Sequence, residues 1–502
     1  MSAAGPDGLL GGAAAKVALI DAASGAKVTY GALAARVEEA ATELAREVRS
    51  FGIGPAFVFA ANDVDTVVHL LAGFAAKVPV ALFDPRLPDD AMDELRRRYR
   101  PAAVRGVRTP VAPHGARPST DSGRTEKKAV GAADGSGRTE PSTSAGRTET
   151  KNTFAASDTI DPELGLLLST SGSTGSPKLV RLSRAAVIAN ARSIALALAI
   201  GPDEVAPTSL PLHYSYGLSV LTSHLAAGAT VLLTSDGLLT DAFWTACRAQ
   251  AVTSLAGVPY SYLMLRRIDL DRVAPTTLRT FTQAGGRLEP QLVRHYHALA
   301  TNRGGHLHVM YGQTEATARI AILPPAELPG RAGSVGRALP GGTLAIDLDG
   351  RTADPGEIGE VVYRGPNVMQ GYALERTDLA RGDELHGELR TGDLGYLDPD
   401  GFLWITGRSR RIAKVFGLRL NLDEVEDLAR AAGPGLDLAA IGDGDRVAVF
   451  VVGADPAQLN AVRQAIVARV GVHPTGIIVS ALTSMPRLAS GKIDYRRLEV
   501  PS

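Results

Sequence analysis

Lys178 closes a run of small hydroxyl and glycine residues, Ser169-Thr170-Ser171-Gly172-Ser173-Thr174-Gly175-Ser176-Pro177-Lys178. Such a loop suits a polyphosphate. Its glycines let backbone N–H groups approach closely, its hydroxyls donate hydrogen bonds, and the lysine adds a point charge. The spacing is not that of a P-loop, because G-x-x-x-x-G-K-[ST] is absent. Leu164-Gly165-Leu166-Leu167-Leu168 before it reads as a buried strand. Arg181-Leu182-Ser183 after it leads into an alanine-rich helical stretch from about Ala185 to Ile200. The expected frame is therefore strand, loop, helix. Four further stretches carry chemistry-bearing residues. They are Leu210-Pro211-Leu212-His213-Tyr214-Ser215-Tyr216-Gly217 and Met310-Tyr311-Gly312-Gln313-Thr314-Glu315. Then come Arg390-Thr391-Gly392-Asp393-Leu394-Gly395, continuing through Gly407-Arg408 to Lys414 and Gly417, and Pro486-Arg487-Leu488-Ala489-Ser490-Gly491-Lys492-Ile493-Asp494. Alone, each has a plain reading. Glu315 suits the first turn of a helix, Thr-Gly-Asp is a common turn, and Ser-Gly-Lys is an ordinary exposed loop.

The elements that must position these residues follow from hydrophobic period. Residues 17–30 read as a β-hairpin, and a helix is expected from about Gly31 to Arg49. Strands Ala56 to Ala60 and Val78 to Phe83 alternate with helices near Asp63–Ala76 and Asp89–Arg98. That alternation predicts an α/β domain of layered subdomains with a largely parallel sheet. The pattern resumes after Pro162. Strands near Ala206–Leu212, Thr230–Leu233 and Ser254–Ala256 are separated by helices near Leu218–Ala226 and Asp241–Gln250, with another from Tyr260. Residues 333–406 are rich in Gly and Pro with short β runs, which predicts a small β-rich subdomain. The chain after Gly407-Arg408 reads as a compact α+β unit. Residues 106–156 hold almost no large apolar side chains and repeat Gly-Arg-Thr-Glu at 123–126, 137–140 and 146–149. Such a stretch buries too little to offset its ordering entropy, so a disordered insertion is expected there.

At 502 residues the chain is long enough for about two to four domains. Lys+Arg and Asp+Glu both count 53, a balance that gives no reason to expect nucleic acid or an anionic membrane as partner. The one cysteine, Cys247, excludes an internal disulfide framework and a cysteine-based zinc site, and reads as core filler. No apolar run is long enough for a membrane span. Met1 to Ala15 lacks a basic n-region and reads as a frayed start, so a cytoplasmic location is expected.

The five stretches together, in this order, resemble the adenylate-forming, AMP-binding superfamily, which includes acyl-CoA synthetases, nonribosomal peptide synthetase adenylation domains and luciferase. The resemblance runs from Val28-Thr29-Tyr30 to Lys492, apart from the insertion. It implies a ligase that joins a small carboxylic acid to ATP, giving acyl-AMP and pyrophosphate, and then passes the acyl group to the thiol of CoA or of carrier-protein phosphopantetheine. It implies that Thr170, Ser171, Gly172, Ser173, Thr174, Gly175 and Lys178 hold the β- and γ-phosphates, that Thr314 faces the α-phosphate, and that Glu315 ligates Mg²⁺. It further implies Tyr311 on adenine, with Gly312 and Gln313 beside it and Gly285-Gly286-Arg287 as another wall. Asp393 is implied at the ribose, with Arg408 alongside, and Lys492 between the carboxylate and the ribose-phosphate oxygens. Finally, it implies an N-terminal domain over 1–408 and a mobile C-terminal lid over 409–502. The hinge falls at Arg410, where the family usually has Asp or Lys. Lys414 to Arg419 would replace Lys492 after rotation, with Gly417 letting a pantetheine arm pass.

Amino-acid-activating members place an aspartate shortly after the second stretch. Tyr214 stands at that place here, and no acid lies between Leu210 and Ala227. An α-amino acid is thereby disfavoured. His213, Tyr214, Tyr216 and Gly285 suggest a pocket for an aryl or fatty acid. A stand-alone amino-acid adenylating enzyme, a relative that activates another oxyanion such as nitrite or uses an amine acceptor, and a non-catalytic nucleotide sensor are the alternatives. The two-orientation scheme makes a sharp expectation. Lys492→Ala should abolish pyrophosphate release from acid and ATP yet leave thioester formation from supplied acyl-AMP largely intact. Assaying the half-reactions separately decides it, and equal loss of both contradicts the scheme.

Overall fold

Leu166, Leu167 and Leu168 pair in parallel with Val80, Ala81 and Leu82, so the apolar runs on either side of the 106–156 stretch join one sheet. In the computed structural model, residues 8–108, 159–169, 178–408, 411–415, 418–443, 446–470, 473–488 and 491–500 are described. Most of the repetitive insertion, the loop Thr170 to Pro177, Arg410 and Gly417, and the side chain of Lys414, all singled out by sequence, lie outside them. The six-stranded sheet has the order Gly371–Ala373, Leu179–Ser183, Leu164–Ser169, Val80–Phe83, Ala56–Phe59, Ala103–Arg105. Its last four strands are parallel, and Leu179–Ser183 runs antiparallel to both of its neighbours. The two inner parallel strands Val80–Phe83 and Ala56–Phe59 are apolar throughout, as strands covered on both faces must be. Helices Tyr30–Phe51 and Val64–Ala76 start where Thr29 and Asp63 accept hydrogen bonds from Ala32 and Thr66 backbone N–H groups, at 3.2 and 2.8 Å.

The glycine–hydroxyl loop does not lead from strand to helix. Leu179–Ser183 is itself a strand that folds back antiparallel on Leu164–Ser169, and helix Arg184–Ala197 begins only after Ser183 caps it. The expected strand–loop–helix frame is thus a hairpin followed by a helix. Leu179, Val180 and Leu182 are fully buried, so a short apolar segment wins sheet pairing over the helix next to it. Arg181 in the same strand is also buried, and its guanidinium bonds the carbonyls of Tyr372 (3.2 Å) and Gln370 (3.3 Å) and pairs with Glu384. A buried cation needs such partners. They dock Gly371–Ala373 on the sheet edge and set the backbone of Tyr372.

A second sheet has the order Ser254–Gly257, Thr280–Gln283, His306–Tyr311, Ala321–Leu323, Arg337–Ala338, the first three strands parallel. A four-stranded sheet joins Lys27–Thr29, Val17–Asp21, Thr230–Leu233 and Val205–Pro207. Residues 343–408 form an antiparallel sheet of Arg351–Thr352, Thr343–Leu348, Gly359–Arg364, Glu388–Leu397 and Leu403–Arg408, in the region expected to be β-rich. Beyond it, Ala413, Val425, Val449, Ile466 and Ile477 build a separate core around the sheet Leu438–Asp443, Arg446–Val452, Ile477–Leu482 and helices Leu422–Ala432 and Pro456–Val470. Sites in α/β sheets gather beyond the carboxyl ends of parallel strands. Here that edge holds Ser169, Val258, Ala284 and Tyr311.

Phe281, fully buried on the interior strand Thr280–Gln283, anchors the second core. Phe281→Ala is expected to cost about 3–5 kcal/mol, read from the denaturant midpoint of unfolding.

Candidate active site

Strand His306–Tyr311 ends in a turn that reverses the chain within a few residues. Gly312 allows the reversal, since a Cβ there would lie 1.9 Å from the Ala318 carbonyl oxygen. Thr314–Ala316 is a single 3-10 turn, and Thr317 and Ala318 have φ of 59° and 132°. Backbone in such regions persists only when its surroundings hold it. Asn367 supplies that hold. Its Nδ2 donates to the carbonyls of Ala316 (2.7 Å) and Arg319 (2.9 Å), and its own carbonyl accepts from the Thr317 hydroxyl at 2.6 Å. Asn190 Nδ2 donates to the same Arg319 carbonyl at 3.1 Å.

Held this way, the turn presents Thr314 and Glu315. The Thr314 hydroxyl lies 3.1 Å from that of Ser215, the first residue of helix Ser215–Ala226. Glu315 accepts from the Tyr372 hydroxyl at 2.7 Å, and its backbone carbonyl accepts from Met369 N–H at 2.8 Å. Lys178 Nζ stands 3.7 Å over the Tyr372 ring. One phenol thus spans the lysine that closes the phosphate-type loop and the carboxylate expected at the metal. Gln313 Nε2 reaches the Thr391 carbonyl at 3.4 Å.

Asp393 is 3% exposed. It faces Arg408 across adjacent strands, with Arg408 Nε donating to its Oδ1 at 2.8 Å, and the Tyr311 hydroxyl donates to Oδ2. Burial and then the Asp393 charge push the Tyr311 phenol far above its ordinary range, so it stays a donor. The Asp393 charge raises Arg408 further.

Lys492 arrives from the C-terminal unit. Its Nζ lies 5.2 Å from the centre of the Tyr214 ring. Burial lowers its pKa to about 8, and the nearby Arg408 adds to this while Glu315 and Asp393 oppose it. Its loop is tethered. The Leu488 N–H donates to the Lys492 carbonyl at 2.8 Å, and Arg487 lies 4.0 Å over the Tyr260 ring while pairing with Asp437 at 2.6 Å. Gly491 has φ of +79°, and a Cβ there would press Val258 at 3.0 Å.

Gly285 has φ of +83°, and a Cβ there would lie 2.5 Å from the Tyr214 hydroxyl oxygen. At Gly286 a Cβ would lie 3.2 Å from Pro259. Tyr216 is buried, with its hydroxyl bonded to the Thr282 carbonyl at 2.8 Å. His213 Nε2 lies 3.6 Å from Asp84, the residue after strand Val80–Phe83. Burial lowers the His213 pKa, against the pull of Asp84. Burial also opposes ionisation of Asp84, but hydrogen bonds from Arg86 outweigh it and hold the carboxyl below its ordinary value.

The structure therefore gathers Lys178, Tyr311, Gly312, Gln313, Thr314, Glu315, Asp393, Arg408 and Lys492, with Tyr214 and Gly285 beside them. Arg287, expected in the adenine wall, pairs with Asp427 on helix Leu422–Ala432. Sequence reading missed Ser215, Tyr372, Asp84 and Arg319. Tyr372 and Asp84 carry no local signature. Arg319 had one, as a lone cation within Ala316-Thr317-Ala318-Arg319-Ile320-Ala321.

The family model described as AMP-binding enzyme matches residues 11–373. Indoleacetate–CoA ligase of Aromatoleum aromaticum is 32% identical over 67% of this chain and 69% of its own. Sulfoacetate–CoA ligase of Cupriavidus necator is 33% identical over 66% of each. o-Succinylbenzoate CoA synthetase of Bacillus subtilis, solved with an acyl-adenylate intermediate, shares the fold at a TM-score of 0.69 and 21% identity, covering 97% of this chain and 96% of its own. Fold and relatives define an AMP-forming acid–thiol ligase. The chain belongs to the AMP-binding enzyme family.

Tyr372→Phe removes a hydrogen bond to Glu315 but keeps the ring under Lys178. A bond to a charged group is worth about 1.5–3 kcal/mol. The apparent KM for MgATP is expected to rise roughly 10-fold, with a steeper dependence on free Mg²⁺. Steady-state pyrophosphate release against Mg²⁺ checks it.

Proposed function

We propose that this enzyme adenylates an aryl or otherwise extended carboxylic acid with ATP and transfers the acyl group to CoA. The observation that carries the reading is the convergence of Lys492, Glu315, Asp393 and Arg408 from separate elements into one cluster. In the first step a substrate carboxylate oxygen attacks the α-phosphorus, an O–P bond forms, and the bond to the β-phosphate breaks to release pyrophosphate. Two anions must meet for this, so charge neutralisation and alignment dominate the barrier. Lys492 sits between them as ammonium. Thr314 donates toward the α-phosphate, Lys178 and the loop Thr170 to Gly175 hold the leaving pyrophosphate, and Asp393 accepts from the ribose hydroxyls. Tyr311 lies along the adenine face with Gly312 and Gln313, and Gly285-Gly286 leave the opposite wall open.

Among the described residues no three His, Cys, Asp or Glu side chains cluster to cage a metal. Glu315, a single oriented carboxylate, suits Mg²⁺ carried in on phosphates. When bound, Mg²⁺ supplies neutralising charge to those phosphates. In the second step a thiol sulfur attacks the acyl carbon, AMP leaves, and the thiol proton is lost to solvent. The same reading places a lid over 409–502 with its hinge at Arg410, and Lys414 in the thiol-accepting orientation. The Arg287–Asp427 pair would then belong to the adenylating orientation.

No described helix is long and apolar enough to cross a membrane. Dependence on ATP and CoA, with one buried cysteine, supports a cytoplasmic location. The acids named for the relatives differ widely, so the acid is best found by a pyrophosphate-release panel. It would span aryl, fatty, dicarboxylic and amino acids and nitrite, each with and without CoA. Turnover of amino acids alone would sink the reading.

With a pKa of about 8, Lys492 is charged below that pH and neutral above it. The free-enzyme parameter kcat/KM for adenylation should therefore fall as pH rises through about 8. Bound anions favour the ammonium and should move the kcat limb to higher pH. Lys492→Arg, which does not titrate in this range, should flatten both limbs at reduced rate. An unchanged alkaline limb in that variant would assign it to another group.

A further inference from the structure

The other buried arginines are matched by oxygen. Arg181 has Glu384 and backbone carbonyls, and Arg184 has the carbonyls of Leu164 and Pro162. Arg319 is different. It is 2% exposed, and among the described residues neither a carboxylate nor a carbonyl accepts from its guanidinium. Its Nε donates to the Met310 sulfur at 3.3 Å, and its guanidinium carbon lies 4.0 Å over the Tyr216 ring. Sulfur and a ring face are weak partners for a charge that an arginine cannot shed. Its backbone carbonyl is fixed by Asn190 and Asn367, so the side chain is aimed by a rigid turn.

That side chain lines a cavity of about 30 Å³, shared with Ile200, Val220, Ala256 and Thr282. The space suits one carboxylate-sized group, since a single water needs about 10–15 Å³. Glu204 and His224 also line it, but the Glu204 carboxylate is engaged by Arg279 at 3.0 Å and the His224 ring by the Val220 carbonyl at 2.8 Å. The side chains packed between this cavity and the reacting end are apolar. Tyr216, Ala256, Val258 and Met310 form one cluster, and Tyr214 and Tyr260, the rings beneath Lys492 and Arg487, pack on it.

We propose that Arg319 is a specificity residue that binds a second anionic group, a carboxylate or sulfonate, at the end of the acid remote from the carboxylate that is activated. The substrate class is then a dicarboxylate or sulfocarboxylate with an apolar middle. This rests on the acid-activating reading above. The planar fork of the guanidinium matches either anion with two parallel bonds. A buried site built for such a group rejects analogues that lack it, because its own charge is left unmatched.

The test compares pyrophosphate release by the native enzyme with α,ω-dicarboxylates, benzenedicarboxylates and sulfocarboxylates against their monocarboxylic counterparts of equal size. The expected result is a preference of at least about 100-fold in kcat/KM for some dianionic acid. Arg319→Met should lose that preference by a similar factor and hold or gain activity on the monoacid, while Arg319→Lys retains part of it. AMP-induced thermal stabilisation reports whether each variant is folded, and the native comparison decides alone for one that is not. Equal use of mono- and dianionic acids by the native enzyme overturns the proposal but leaves the acid-activating reading intact. So does an Arg319→Met loss that is the same for both acid types. Release from no acid in any arm removes the reading and the proposal together.

Discussion

An ionised carboxylate at the depth of Asp393 has to be matched on both oxygens or it is not stable as an anion. Arg408 matches one and Tyr311 the other. The two partners come from different sheets. Arg408 pairs with Asp393 across neighbouring antiparallel strands, while Tyr311 terminates a parallel strand of the second sheet. Satisfying one buried charge therefore fixes how these two sheets meet. The turn that follows Tyr311 inherits its position from that contact, and Thr314 and Glu315 are placed with it.

The electrostatics around this pair are unbalanced in a useful way. Asp393 is already neutralised, so the cations left over, Lys178 on Tyr372 and Lys492 near Tyr214, rest on aromatic faces rather than on carboxylates. A ring holds a cation more loosely than an anion does. In the proposed reaction both lysines can move onto phosphate or carboxylate oxygens without first breaking an ion pair. Tyr372 and Tyr214 act as parking surfaces, and the buried Arg181 fixes the first of them through the backbone.

Much of the architecture was legible because period and punctuation agreed over long stretches. Helix Tyr30–Phe51 carries its buried face at Leu33, Val37 and Leu44, and Thr29 marks its start. Segments of four or five residues were less readable. Leu179–Ser183 is as apolar as a helix start and sits against an alanine-rich run, and only its partner strand decides that it is extended. The residues expected at the nucleotide were legible as an ordered set of motifs. Their partners were not. His213 meets Asp84, Glu315 meets Tyr372, and Arg287 meets Asp427, each across a gap in sequence that no local pattern encodes. Arg319 stands as a cation in an apolar run, a signal that went unread, and its meaning depends on no described carboxylate bonding it once folded.

The turn after Tyr311 is gripped through its own main-chain carbonyls, by asparagine side chains. Asn190 and Asn367 hold the carbonyl of Arg319, and Asn367 the carbonyl of Ala316, so nothing in that frame depends on which side chain stands at 319. The reacting end of the pocket and its far wall are thereby mechanically decoupled. Descendants of one ancestral scaffold could exchange that single side chain, and with it the diet of the enzyme, without retuning the parts that handle phosphorus.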